Sequence, residues 1–443
     1  MKKFIVYSNH LKKLTWVILL STITYANKIS GSTWKMKTSE KLWFLNNKFI
    51  KVIITSNILL QLGIWIRNFA VLLYVMEKTN NDAYAVSLIS VAEFSPIFIF
   101  SFIGGAFADR WKPKRTMVLC DLLSAISVFI VLLAIVFEVW QAVFFVAFIS
   151  AILSQFSQPS SMKLFKVHIP AEKLQSGMAM FQTLMAIFIV IGPLLGTFVY
   201  QRFGINLAIG LMGLAFLLSA CVLVFLPNDK KDKEEKNESS FFSELKEGFK
   251  YVYKRKALMI LGGIFALAGL AVGITQPLGI FIVIERLGLP KENLQWLLAV
   301  FGVSMLMGGG VIMSLSQKFS PQKLLAVGLL INAISVIGMG VSTSFVITAI
   351  FQFLNGFFMP CIHIGINTLI LKLTDVKFIG RVNGVLNPMF MGAMVLTISL
   401  AGWLKVQFSL VDMYIASGII FFLGALLTAS LFKLNLSVEE EYL

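Results

Sequence analysis

Charge is what this sequence has least of. Only 14% of its 443 residues are Asp, Glu, Lys or Arg, while 58% are hydrophobic; an ordinary soluble domain carries about 25% charged residues. A water-soluble fold has too little polar surface to draw on here. Histidine and cysteine are scarce too, at three each. Cys120, Cys221 and Cys361 stand alone in separate apolar runs, with no spacing that suits a metal or a redox pair, so they read as small packing residues. No metal and no cofactor is expected. No P-loop is present, so ATP drive would need another chain. A catalytic cluster and an appended domain are also missing, which leaves a membrane-embedded enzyme or sensor without support. Ten-residue alternating segments, the mark of a membrane β-barrel, do not occur.

The chain consists instead of apolar runs long enough to span a membrane. A helix needs about 20 apolar residues to cross roughly 30 Å of hydrocarbon. We read about twelve such runs, at 50–76, 84–108, 116–137, 140–163, 173–201, 204–226, 257–284, 293–317, 322–341, 344–371, 380–404 and 411–433. The expected fold class is therefore an all-α, polytopic membrane protein.

The formal net charge of +16 invites a nucleic-acid reading, but the positions of the bases argue against it. If the first span starts inside, the outer loops hold only Lys78, Arg202, Arg286, Lys291 and Lys405, and Arg67 lies within a span. Every other Lys and Arg falls on the inner side. That bias sets both termini in the cytoplasm of a bacterial cell membrane, with anionic lipid as the neighbour of the charge. Nothing in the sequence bears on oligomeric state.

Residues 1–35 carry lysines and a short apolar stretch, Leu14 to Ala26, that is too short for a span and resembles a secretory signal. Met36 then opens an ordinary cytoplasmic lead into the first span. We read 1–35 as an upstream extension without function; an interfacial helix is the other reading. The chain divides into a cytoplasmic segment 1–49, a six-span half 50–226, a linker 227–256, a second six-span half 257–433 and a tail 434–443. The linker holds the mixed-charge run from Asp229 to Glu238, which should be solvated. Phe242, Leu245, Phe249 and Tyr253 follow at helical spacing, an amphipathic stretch suited to the inner leaflet. The halves echo each other weakly. Gly104-Gly105 through Lys114-Arg115 corresponds to Gly308-Gly309-Gly310 through Gln322-Lys323, with Met313 and Ser314 in place of Asp109 and Arg110.

Two motifs stand out within the first half. One is Gly105-x-x-x-Asp109-Arg110-x-x-x-Lys114-Arg115, between the second and third spans; the other is Gly192-Pro193-x-x-Gly196, in the fifth. On these residues the chain from about Met36 resembles the major facilitator superfamily, in particular the macrolide-efflux-like branch of the drug–proton antiporters. The resemblance implies two pseudo-symmetric bundles of six helices that rock about a central site. It also implies proton-coupled export of a small amphipathic, drug- or macrolide-like compound. A lysophospholipid or siderophore-type carrier of the same fold is the alternative. Gly105, Asp109, Arg110, Lys114 and Arg115 would form a gating loop. Gly105 would let the second span approach the eleventh, and Asp109 would face that helix's start near Arg381 to Asn383. A plain basic topology anchor explains the bases of this loop, but not its Gly and Asp. Gly192, Pro193 and Gly196 would form an exporter motif, although Thr197 and Phe188 stand where the pattern has glycines. Kinking and close packing explain the same residues without export. The fourth span also lacks the arginine that many such antiporters carry there.

Three ionisable residues lie inside spans. Arg67 and Glu93 fall at similar depth in antiparallel neighbours, and each alone costs about 2.5–3.5 kcal/mol, so they should pair. A structural ion pair and a proton- or cation-coupling site both fit; one of the two reaching the interface is the third reading. Asp121, early in the third span, is expected to pair with a loop base, with proton transfer as the second reading. Asn57, Gln61 and Asn68 share one side of the first helix, within about 60°. The superfamily's cavity is lined by spans 1, 4, 7 and 10, which adds Gln155, Ser157 and Gln158, then Gln276, then Asn355, His363 and Asn367. Amides among apolar walls suit an amphipathic ligand; interhelical hydrogen bonding explains several of them equally well.

Overall fold

The computed structural model describes residues 47–227, 241–315, 318–375 and 378–432. The extension 1–35, the run Asp229 to Glu238 and the tail 434–443 lie outside these. Among the described residues the regular structure is all helical. Helix α1 (Lys48–Lys78) starts where the Asn47 side chain accepts from the Ile50 amide at 3.2 Å, a polar N-cap that satisfies one orphan donor. It is followed by α2 (Ala83–Arg110), α3 (Pro113–Val136), α4 (Val143–His168) and α5 (Ala171–Leu223). The linker contributes α6 (Phe241–Lys254). The second half holds α7 (Lys256–Thr275), α8 (Leu294–Leu315), α9 (Pro321–Val341), α10 (Phe345–Leu373), α11 (Ile379–Gln407) and α12 (Leu410–Ala429).

Eleven of the described helices are long and apolar enough to cross a membrane, and α5 hides a twelfth crossing. Its apolar part, Met180–Leu223, has 44 residues, about 66 Å at 1.5 Å per residue and so about twice the hydrocarbon thickness. Gly204 breaks it, with φ 72° and ψ −176°, a conformation that favours glycine. Contacts with α1 show that the chain reverses there. Gln61 meets Met185, and Gly196 lies against Phe69, so the first arm runs parallel to α1. Ser56 meets Ser219, and Gly63 lies against Met212, so the second arm runs antiparallel.

Packing repeats with an offset of six spans. In the first half α1 lies against both arms of α5, α2 against α4, and α3 against α4 and α5. In the second, α7 lies against α11 and α12, α8 against α10, and α9 against α10 and α12. The halves meet where α2 packs on α11 and where α5 packs on α8. Two six-helix bundles related by pseudo-symmetry result. The expected seventh span, 257–284, is interrupted: α7 stops at Thr275, and a short turn, Gly279–Phe281, and a π-turn, Ile282–Arg286, continue it. Pro277 lacks the amide that would carry the helix on.

One apolar core joins both halves, with Phe69, Leu73, Met76, Ala83 and Val86 among buried residues of α7 to α12. Those five cluster toward the end of the bundle where α1 ends and α2 begins, the Thr79 end; the Lys112 end is opposite. Polar contacts between the halves sit at the Thr79 end too. Lys291 Nζ donates to the Leu73 carbonyl at 3.3 Å and stands 4.0 Å from Glu77. Glu77 also accepts from Tyr200 at 2.7 Å. Through Lys291 the halves are joined at that end.

Candidate functional site

Between the halves lies a cavity of about 730 Å³, within the usual range for ligand sites. Its first wall is built by α1 and α2. Arg67 is buried and donates to Asn68 Oδ1 through Nε at 2.9 Å and through one terminal nitrogen at 2.6 Å. The same terminal nitrogen reaches Glu93 Oε1 at 3.2 Å, and Asn68 Nδ2 donates to that oxygen at 3.4 Å. The expected pair therefore forms, as a three-residue cluster in which Asn68 is the closer partner of Arg67 and Glu93 its counter-charge. The Glu93 side chain keeps 24% of its surface accessible, against 5% for Arg67, so the carboxylate is the member open to the cavity.

Close packing of α5 on α1 fixes this wall. A side chain at Gly192 would collide with the Trp65 indole, and one at Gly196 would come within 2.6 Å of the Trp65 carbonyl and 2.7 Å of Phe69 Cβ. Trp65 and Phe69 both line the cavity and flank Arg67 in sequence. The Gly-Pro-Gly stretch thus sets the position of the charged cluster through its neighbours.

The second wall comes from α7 to α12 and carries no Asp, Glu, Lys or Arg. Gln276, Asn355, His363 and Asn367 line it, with His363 and Asn367 one turn apart on α10. Asn355 Nδ2 donates to Asn332 Oδ1 at 2.8 Å, and Asn332 Nδ2 to the Gly328 carbonyl at 2.9 Å. Asn332, Gln352 and Asn387 also line the cavity, and the sequence reading missed all three. Their signal was available, since each is an amide within an apolar span.

Five expected cavity residues, Asn57, Gln61, Gln155, Ser157 and Gln158, lie elsewhere. Gln61 Nε2 points to Met185 Sδ at 2.8 Å, Gln155 donates to Ser154 at 3.1 Å, Gln158 is exposed away from the cavity, and the buried Asn57 Oδ1 has no partner. Asn57 and Gln61 do share the angular sector of Asn68. They lie about 10–17 Å closer to the Lys112 end, however, at 1.5 Å per residue, and the cavity gathers at the level of Arg67. Among the described residues Asp121 pairs with no loop base and accepts instead from Ser219 at 2.6 Å, with Ser56 a further 2.8 Å from Ser219. Position 121 lies two turns into α3, beyond the reach of the turn at 111–112, and the second arm of α5 supplies the hydroxyl instead.

The loop motif is described in part. Gly105, Asp109 and Arg110 belong to the last turns of α2, with side chains outside the described residues. Lys114 Nζ donates to the Leu226 carbonyl at 2.6 Å, tying the start of α3 to the end of the second arm of α5, and Arg115 is exposed. Arg381, near which Asp109 was expected, pairs with Glu247 of α6 at 2.7 Å.

The family model described as Major Facilitator Superfamily matches residues 53–294 and 261–441. The chain is 25% identical to YkuC of Bacillus subtilis (strain 168), an uncharacterized MFS-type transporter, over 86% of this chain and 91% of that one. It is 25% identical to the multi-drug resistance efflux pump PmrA of Streptococcus pneumoniae serotype 4, over 69% and 77%. Macrolide efflux protein A of Streptococcus pyogenes matches at 25% over 48% and 54%. Among solved structures, the nucleoside transporter NupG superposes with a TM-score of 0.69 at 14% identity, covering 87% of this chain and 99% of that one. That likeness is one of fold.

Proposed function

The chain belongs to the major facilitator superfamily of transporters, and on that premise we propose that it is a proton-coupled exporter of small amphipathic, drug- or macrolide-like compounds. The observation that carries this reading is the cavity shared by both halves, with a charged cluster on one wall and amides on the other. A Thr79 end where the halves are joined and a central cavity are what one state of an alternating-access carrier requires. The halves 50–226 and 257–433 would be the moving bodies, joined by 227–256. The Lys112 end and both termini would face the cytoplasm of a bacterial cell, as the basic bias asks.

Glu93 would carry the proton. Arg67 already makes two of its three contacts with Asn68, so protonating Glu93 weakens one bond and leaves the guanidinium held. Gly105 and Asp109 would latch the Lys112 end against the start of α11. This latch draws support from α2 and α11 packing on each other, with Gly392 against Phe98 and Gly402 against Ala83 and Tyr84.

The test is uptake into inverted vesicles of a panel of dyes and macrolides, with and without a proton gradient. Gradient-dependent uptake of several panel members is expected. Movement of lysophospholipid or siderophore alone would assign the alternative cargo, and gradient-independent movement would overturn proton coupling.

A further inference from the structure

Helix α6 has two faces with different destinations, and only one of them is occupied by protein. The occupied face is Gly248, Tyr251, Val252 and Arg255. Gly248 lies so close to α11 that a Cβ there would come within 2.8 Å of the Arg381 carbonyl oxygen. Tyr251 stacks on Phe378, centroids 4.3 Å apart. Its hydroxyl donates to Asp375 Oδ2 at 2.8 Å and accepts from the Asp375 amide at 3.0 Å. Arg255 pairs with Asp375 at 3.1 Å. Burial pushes the Tyr251 phenol above its ordinary range, which keeps it a donor. These contacts clamp α6 to the link between α10 and α11.

The other face has no protein partner among the described residues. Lys246, Lys250 and Lys254 recur every four residues along one stripe, all exposed and without an ion pair. Beside them run Phe249 and Tyr253, 53% and 77% exposed. Glu247, the acid among them, is taken up by Arg381. One residue separates α6 from α7, whose first turn enters the membrane. The unoccupied face is therefore held by covalent connection at the depth of the lipid headgroups.

We propose that this face of α6 docks on an anionic phospholipid surface, with Lys246, Lys250 and Lys254 on headgroups and Phe249 and Tyr253 at the acyl boundary. Charge complementarity selects the occupant: three unpaired cations beside two exposed aromatic rings suit a negatively charged leaflet. Through its opposite face, α6 would hold the first turn of α11, the helix that meets α2 across the halves. The inference rests on the membrane-spanning fold and not on the transported compound, so either can fail without the other.

Hydrogen–deuterium exchange of the full-length protein in nanodiscs provides the test. One set contains phosphatidylcholine alone and the other added phosphatidylglycerol. Amides 246–254 are expected to exchange about tenfold more slowly with the anionic lipid, since each lysine gains from a charged surface and the opening of α6 is opposed. At 1 M salt, where screening acts within about 3 Å, the difference should vanish. The triple variant K246Q/K250Q/K254Q should lose the difference yet match wild type in the neutral lipid, because the clamp is untouched; the K246R/K250R/K254R variant should keep it. Equal exchange of the wild type in both lipids, or a difference that survives the glutamine variant, overturns the proposal.

Discussion

In the first half, Gly192 and Gly196 of α5 receive Trp65 and Phe69 of α1; in the second, the equivalent pair of spans carries its glycines on the other partner, with Gly269 and Gly273 of α7 receiving Phe390 and Met394 of α11. The backbone approach repeats, and the residues that permit it do not. Pseudo-symmetry in this molecule therefore belongs to helix packing, which leaves the cavity chemistry of each half free to differ. The difference is large. Among the described residues, the buried charges Arg67 and Asp121 lie in the first half, and the buried polar groups of the second are uncharged. Gly192-Pro193 in α5 serves packing, whereas Asn387-Pro388 in α11 puts an amide on the cavity. One half carries the buried charges, and the other faces the cavity with amides.

Five substitutions would break or sharpen that contrast. The largest effect belongs to Arg67→Met, which leaves Glu93 without its cation. Breaking a buried pair costs about 3–5 kcal/mol, and the partly open Glu93 puts this case at the lower end. A fall in Tm larger than for any single amide of the second wall is expected; an unchanged Tm would show that the pair does not matter to the fold. Gly269→Ala should come next and exceed Gly192→Ala, both within the roughly 1–3 kcal/mol of overpacking. A methyl at Gly269 meets the Phe390 carbonyl, which is backbone, whereas one at Gly192 meets the Trp65 side chain. The reverse order in thermal unfolding would remove the argument from close approach. Asn355→Leu removes an interhelical hydrogen bond, worth about 0.6 kcal/mol in a membrane protein. It should leave Tm nearly unchanged while altering competition among substrates in the vesicle assay. Smallest of all, Asp121→Asn retains an acceptor for Ser219 and should leave gradient-driven flux at the wild-type level. A loss there would move the coupling role from the cavity to the interior of the first half.

Much of the fold was legible because length and apolarity are enough to count spans. The reversal at Gly204 falls on the first residue of the expected run 204–226, and the interruption of the seventh run follows from Pro277. The Arg67–Glu93 contact could be read because a charge in hydrocarbon needs a partner and only one other stood at its depth. The amides were harder. Helical periodicity gives the angle of a side chain and not which level of the bundle opens into a cavity, so it points to Asn57, Gln61, Gln155, Ser157 and Gln158 and misses Asn332, Gln352 and Asn387. Asn332 lies on α9, a span the resemblance gave no reason to inspect, and reaches the cavity by pairing with Asn355. The apolar stripe of α6 was visible in the sequence; its docking face was not, because Gly248, Tyr251 and Arg255 acquire meaning only once Asp375 and Arg381 are beside them.

The most direct test compares wild type with Glu93→Gln in proteoliposomes under an imposed proton gradient. The glutamine keeps an acceptor for Arg67 and Asn68 but binds no proton. Accumulation driven by the gradient should be lost, while exchange of labelled for unlabelled substrate without a gradient persists. Accumulation by Glu93→Gln at the wild-type rate would contradict the account.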